Sequence, residues 1–222
     1  MRVLVTGGAG FIGSHVVQGA LAAGYEVAVL DNFSTGKRAN VPAAVRVFEA
    51  DLRDRDATFR AVAEFQPEAV SHQAAQVSVP GSMKDPRFDA EVNIIGGLNL
   101  LDACTADPRN VGHFVFASTG GAIYGEVPDG QQASEAFPLE PKSPYGISKL
   151  TFERLLTIYR EQRGLATTVL RYANVYGPRQ DPFGEAGVIA IFLDSILADK
   201  TLKIFAKRTL GDGGCIRDYV FV

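Results

Sequence analysis

Apolar residues in this chain fall into short unbroken runs, separated by longer stretches with helical spacing. The first run, Val3-Leu-Val-Thr6, ends in glycines and predicts a buried parallel strand. Phe11 to Ala23 has helical spacing and stops at Gly24. Glu26-Val-Ala-Val-Leu30 and Val45-Arg-Val-Phe48 predict a second and a third strand, with a helix over Arg53 to Phe65. Ala69-Val-Ser-His72 predicts a fourth strand, Pro86 to Ala106 one long helix, and His113-Phe-Val-Phe-Ala117 a fifth strand. Ser143-Pro144 stand where a cap and first turn belong, so a helix is expected over Ser143 to Gly164. Thr167-Thr-Val-Leu-Arg171 predicts a sixth strand. Strands alternating with helices imply an α/β domain, a doubly wound parallel sheet with helices on both faces.

The pattern changes after about Ala173, where Gly, Pro and aromatic residues become frequent. This predicts two regions, 1–172 and a smaller lobe from 173 to 222. Within that lobe the segment 206–215 reads as a loop and Arg217-Asp-Tyr-Val-Phe-Val222 as a strand. Because the chain stops inside a strand-like run, the natural protein is expected to continue and the lobe to be truncated.

Hydrophobic residues are 46% of the 222 and charged residues 21%, ordinary for a chain that buries a core. The net charge of −3 and the absence of basic stretches beyond Lys37-Arg38 and Lys207-Arg208 argue against a nucleic-acid partner. Cys104 and Cys215 are too few for a disulfide framework, and the expected compartment is the reducing cytoplasm. No charged, then apolar, leader precedes the first strand, and the apolar run Gly187-Leu197 is broken by Asp194, so neither a signal peptide nor a membrane span is expected. His15, His72 and His113 lack metal-ligand spacing with either cysteine, so no metal is expected.

Thr6-Gly-Gly-Ala-Gly-Phe-Ile-Gly13 places glycines at 7, 10 and 13 between the first strand and first helix. Gly7 permits a tight turn, Gly10 lets backbone approach a pyrophosphate, and Gly13 allows close packing of helix on strand. The helix N-terminus at Phe11 and Ile12 offers N–H groups and a positive dipole end to phosphates. In this strand-turn-helix context the pattern is a dinucleotide fingerprint of Rossmann type; elsewhere it would be merely a glycine-rich turn. Asp31, ending the second strand, can accept bonds from ribose hydroxyls and would repel a 2′-phosphate, which favours NAD over NADP despite Lys37 and Arg38 nearby. Asp51-Leu52 could reach the adenine edge, or Asp51 could cap the following helix. Gln73-Ala74-Ala75-Gln76 would let backbone run along the cofactor.

Tyr145-Gly-Ile-Ser-Lys149 sets a phenol and an ammonium one helical turn apart on one face. The expectation is that the lysine lowers the phenol pKa from about 10, making a general base for an alcohol. Such a pair also occurs by chance on helix surfaces. Ser118 and Thr119 close the fifth strand, where the carboxyl ends of a parallel sheet meet a ligand crevice. Either hydroxyl could hold the reacting oxygen, or both could satisfy local backbone.

These motifs, together with Asp31-Asn32-Phe-Ser, Arg171-Tyr172-Ala-Asn174-Val-Tyr-Gly-Pro-Arg179 and Arg217-Asp-Tyr, resemble the extended short-chain dehydrogenase/reductase family, and within it the UDP-glucose 4-epimerases. The resemblance implies that Thr119 is the catalytic hydroxyl, with Ser118 a near alternative, that Tyr145 is the base, and that Lys149 supports it and holds the nicotinamide ribose. It assigns Asn32, Asn93 and Tyr172 to the cofactor side, Asn174 and Arg217 to the substrate diphosphate, and Val188, Ile189 and Phe192 to the uracil. An arginine's planar fork suits the diphosphate role.

The related sugar 4,6-dehydratases carry an Asp-Glu pair after the catalytic Thr, and the UDP-glucuronate decarboxylases a Glu. Here Gly120-Gly121-Ala122 follows, so chemistry is expected to stop at a ketone and reverse. The implied reaction is 4-epimerisation of a UDP-hexose. The alternatives are another nucleotide sugar such as UDP-N-acetylglucosamine, net oxidation, or a non-catalytic NAD-binding protein. The segment Phe205 to Cys215 is longer than in most relatives. A homodimer is implied, through helices around 93–106 and 145–163.

Overall fold

The computed structural model describes residues 1–107, 111–128, 130–182, 187–204, 209 and 217–222. The expected 206–215 loop and Cys215 therefore lie outside the described residues, apart from Thr209. The chain divides into two compact units, Met1–Tyr172 and Ala173–Val222.

In the first unit, elements follow in the order β1 (Arg2–Thr6), α1 (Phe11–Ala22), β2 (Glu26–Asp31), β3 (Arg46–Glu49), α2 (Arg55–Phe65) and β4 (Ala69–His72). Next come α3 (Val79–Lys84), α4 (Pro86–Ala90), a π-helical stretch (Glu91–Gly96) and α5 (Gly97–Thr105). The unit ends with β5 (His113–Thr119), the single turn α6 (Gly120–Ile123), α7 (Pro144–Arg163) and β6 (Ala166–Tyr172). The six strands form one sheet in the order β3-β2-β1-β4-β5-β6, and every pairing is parallel. This is the doubly wound order that reverses between β1 and β4.

Strand periodicity distributes the core between the two faces. Leu4, Ala28, Leu30, Val70, Phe114 and Phe116 point into a layer with residues of α2, α5 and α7. Val3, Val5, Val27 and Val29 point the other way, onto Val17 of α1. Gly97 lets α5 lie directly on α7: a Cβ there would come within 2.3 Å of the Phe152 ring.

Two expectations about helices change in detail. The long helix expected from Pro86 to Ala106 runs on through α4, the π-helical stretch and α5 to Thr105 with its backbone right-handed helical at both junctions, and α3 precedes it, with Ser78 and Asp85 capping α3 and α4. No side-chain cap marks this change to i→i+5 bonding. Asp51 does not cap α2; Asp54 does, accepting from the Ala57 N–H, and the helix begins two residues later than its apolar pattern suggests. The helix over α7 is framed as the sequence implies, by the Ser143 hydroxyl at one end and left-handed Gly164 at the other.

The second unit holds β7 (Asn174–Tyr176), α8 (Val188–Leu197) and β8 (Tyr219–Phe221). The expected strand over 217–222 is three residues long and pairs in parallel with β7. No described residue of this unit is buried. No helix among the described residues is long and apolar enough to cross a membrane.

Candidate active site

The glycine loop sits at the carboxyl end of β1. Gly7 takes the left-handed conformation (φ 66°), and a Cβ on it would lie 2.6 Å from the Ala74 backbone nitrogen. A Cβ on Gly13 would lie 2.1 Å from the Gly7 carbonyl, so α1 can close on the loop only with glycine there. Gly10 caps α1 without a side-chain bond, leaving the first turn at Phe11 and Ile12 with amides and the positive dipole end for an anion. These features fit a dinucleotide pyrophosphate.

Asp31 is buried and holds this loop from behind. One carboxylate oxygen accepts from the Ala9 N–H (2.9 Å), the other from the Phe33 N–H (2.8 Å). A carboxylate has about four acceptor positions, so two remain for ribose hydroxyls. Asn32 donates to Asp51 (2.9 Å), which is also gripped by Arg53, and the Asp51 carboxyl is thereby held far below the usual carboxylate range. Leu52 is buried beside them, its carbonyl accepting from Asn99 (2.8 Å).

After β4, the Ala74 N–H donates to the Thr6 hydroxyl (3.3 Å), and Gln73 donates to Ser71 (3.0 Å) and, more weakly, to the Tyr172 hydroxyl (3.5 Å). Asn93, on the π-helical stretch, exchanges two 3.0 Å bonds with the backbone of Gln76 and donates a third to Asp89. Its amide is thus engaged in fixing the 73–76 segment, next to Ala75.

Thr119 ends β5 and Tyr145 opens α7. A Cβ on Gly146 would meet the Ala122 carbonyl at 2.4 Å, so this glycine lets the turn after Thr119 pack against α7. The Thr119 hydroxyl is near enough to the Tyr145 phenol to lower its pKa. Lys149 is buried, donates to the Ala117 carbonyl (2.9 Å), and lies 5.9 Å from the Tyr145 ring centre. Ser118 and Thr119 differ in their surroundings: the buried Ser118 hydroxyl donates to Glu153 (2.5 Å), and Thr119 is the one of the two that acts on the phenol.

The electrostatics correct one expectation. Lys149 does not bring the phenol toward neutrality in the protein by itself. Burial first, then the charge of Asp89, push Tyr145 up to about 12, against the Thr119 hydroxyl, which lowers it. Burial pulls Lys149 down to about 8, against the opposing effect of Asp89 and Glu153.

Three residues here went unrecognised as site residues in the sequence. Glu153 and Lys149 are four apart on α7, a spacing that could have exposed Glu153. Arg171 clamps Glu153 (2.7 Å) and donates to the Tyr124 hydroxyl (2.8 Å). Asp89 is 59 positions from its partner Ser148 and carries no local signal.

In the second unit, both the N–H and the side-chain amide of Asn174 donate to the Asp218 carbonyl (3.2 and 3.0 Å), next to Arg217. Val188 and Phe192 lie one turn apart on α8, with Ile189 between them. Among the described residues no group of His, Cys, Asp and Glu could hold a metal.

The family model for NAD dependent epimerases and dehydratases matches residues 3–222. The chain belongs to that family. Its similarity to a UDP-glucose 4-epimerase of Thermus thermophilus, solved as a complex with NAD, is 59% identity and a TM-score of 0.95, over 100% of this chain and 70% of that one. A Thermotoga maritima UDP-glucose 4-epimerase, solved with UDP-glucose, is 48% identical with a TM-score of 0.93, over 100% of this chain and 69% of that one. A UDP-glucose 4-epimerase of Mycolicibacterium smegmatis is 46% identical over 100% of this chain and 70% of its own length.

Proposed function

We propose that this chain binds NAD in its first unit and interconverts UDP-glucose and UDP-galactose by inverting C4 through a transient 4-keto sugar. The observation that carries the reading is Tyr145 one helical turn from buried Lys149, whose ammonium lies 5.9 Å from the phenol ring centre, with Thr119 acting on the phenol and no carboxylate in the Gly120-Gly121-Ala122 turn that follows. The similar epimerases from Thermus and Thermotoga, solved with NAD and with UDP-glucose, support the cofactor and the substrate.

When bound, NAD accepts a hydride from C4 and returns it. The loop at Gly7, Gly10 and Gly13 and the first turn of α1 hold the pyrophosphate, and Asp31 takes the adenosine ribose hydroxyls. Tyr145, as phenolate, removes the proton of the C4 hydroxyl, and Thr119 holds that oxygen. A phenol at about 12 is a poor base near neutrality, so Tyr145 would need a further positive charge beside it, as an oxidised nicotinamide would supply. On the return, the same Tyr145 phenol would give the proton back to the C4 oxygen. Lys149 anchors the nicotinamide ribose and keeps the pair positive. With no acid at 120–122, elimination of water has no catalyst and the ketone is simply reduced again. Asn174 and Arg217 are assigned to the diphosphate, and Val188, Ile189 and Phe192 to the uracil. Anchoring the nucleotide tail leaves the sugar free to present either face.

A homodimer is also proposed. Ile147 and Ile158 are exposed on α7 eleven residues apart, which is one face of the helix, and Ile95 is exposed on the π-helical stretch.

The test is a coupled assay with UDP-galactose supplied, UDP-glucose detected and NADH absorbance followed throughout. Product without accumulating NADH is expected. NADH rising in step with substrate use would replace epimerisation by net oxidation, and no product would remove these sugars as substrates.

A further inference from the structure

Asp89 is a fully buried carboxylate at the end of α4 with no assigned role. Its oxygens accept from Gln76 (2.9 Å), from Asn93 (3.0 Å) and from the Ser148 hydroxyl (2.6 Å). Ser148 is buried and sits between Tyr145 and Lys149 on α7, adjacent to the lysine. Asn93 in turn holds both backbone groups of Gln76, in the segment that follows β4. One carboxylate thus ties the 73–76 segment to the reacting face of α7. Three donors would be left unpaired in a dry site without it.

We propose that Asp89 is a positioning residue of the Tyr145–Lys149 pair, a buried counter-charge that keeps Lys149 an ammonium and fixes the turn of α7 carrying both through Ser148. The inference rests on the reading of Tyr145 and Lys149 as the reacting pair.

The groups facing Lys149 are Asp89 from α4, Glu153 and Tyr145 from α7, and His72 from β4. His72 is neutral, because burial brings it down to about 3. Glu153 is bound to Arg171 and Ser118, so its charge is partly compensated. Asp89 is hydrogen-bonded only by neutral groups among those described, and it acts electrostatically on both Tyr145 and Lys149. On its own helix Arg87 is exposed and paired with Glu91 (2.9 Å). Removing the Asp89 charge therefore has one sign for both partners: the ammonium and the phenol each lose their proton at lower pH.

Asp89→Asn suits the test, since the Asn oxygen can keep the bonds from Gln76 and Asn93 while the Ser148 hydroxyl turns to accept from the new amide. The Lys149 midpoint is read by NMR titration of 13Cε-labelled lysine in the intact chain, with Lys149→Met for assignment. In Asp89→Asn the midpoint is expected to fall by roughly one unit, while in Ser148→Ala, which keeps the charge and removes only the bond, it stays in place. Asp89→Ser, with room for a water, must reproduce the fall. The pH profile of kcat/KM must move to lower pH on both limbs in Asp89→Asn, with kcat lowered more than KM is raised. An unchanged Lys149 midpoint in folded Asp89→Asn or Asp89→Ser overturns the proposal. The titration needs no turnover, so a chain without epimerase activity would sink the proposed reaction and leave the titration to decide on Asp89.

Discussion

Residues 1–172 seal Phe114, Phe116, Phe152, Leu4 and Leu100 almost completely from solvent; residues 173–222 bury none of their described side chains. Both regions are rich in apolar residues, and α8, with the run Val188-Ile-Ala-Ile-Phe-Leu193, is as apolar as any helix of the first unit. The difference lies in what the apolar residues meet. In the first unit each strand has a neighbour in the sheet and helices above its faces, so side-chain alternation becomes two packed layers. Among the described residues of the second unit, which form a two-strand pairing and one helix, Leu193, Ile196 and Leu197 are mostly exposed. The glycine loop and the Tyr145–Lys149 pair therefore stand on the packed unit, and the residues proposed for the nucleotide tail stand on one whose described residues are none of them buried.

The sharpest way to break this comparison is at Tyr145. Tyr145→Phe is expected to lower kcat by about a hundredfold to ten-thousandfold, the usual worth of a general base, with NAD affinity by calorimetry nearly unchanged. A large loss of NAD affinity would instead make Tyr145 a cofactor ligand. Next, Gly13→Ala drives a Cβ to 2.1 Å from the Gly7 carbonyl and is expected to abolish measurable NAD binding. Urea denaturation comes third. Phe152→Ala is expected to cost about 3–5 kcal/mol, whereas Leu197→Ala, at a side chain 87% exposed, is expected to stay within about 0.5 kcal/mol. Equal costs would erase the distinction between the regions.

The smallest effect is one of pH. His72 lies among Phe114, Phe116 and Phe152, hydrogen-bonded to Thr6 (2.7 Å), and burial brings its pKa to about 3 from an unfolded value of 6.5. Between those values the unfolded chain binds a proton that the native chain does not. Stability is thus fully present above pH 6.5 and falls as pH drops toward 3, by about 1.4 kcal/mol per unit for this one group. Denaturation at pH 6 and pH 5 should show that slope, and His72→Gln should reduce it.

Much of this fold was legible because the decisive signals are local. Glycines 7, 10 and 13 stand directly between a strand and a helix, Ser143 and Gly164 bracket α7, and Tyr145 and Lys149 are one turn apart. What escaped depends on contacts distant in sequence. Asp89 meets Ser148 across 59 positions, and Ser118 turns to Glu153 across 35, which singles out Thr119. The π-helical stretch, which carries Asn93 and begins two residues after Asp89, has no marker of its own in the sequence. The sign of the Tyr145 shift was missed for a related reason. A lysine four residues away is visible in the sequence, but burial and a carboxylate from another helix are not.

The central claim is that the hydrogen at C4 leaves for the cofactor and comes back to the same sugar. It is tested by supplying UDP-galactose deuterated at C4 and examining the UDP-glucose formed by mass spectrometry and NMR. The account predicts deuterium retained at C4 of the product with none in the solvent. Deuterium found in released NADH, or lost to water, would contradict it.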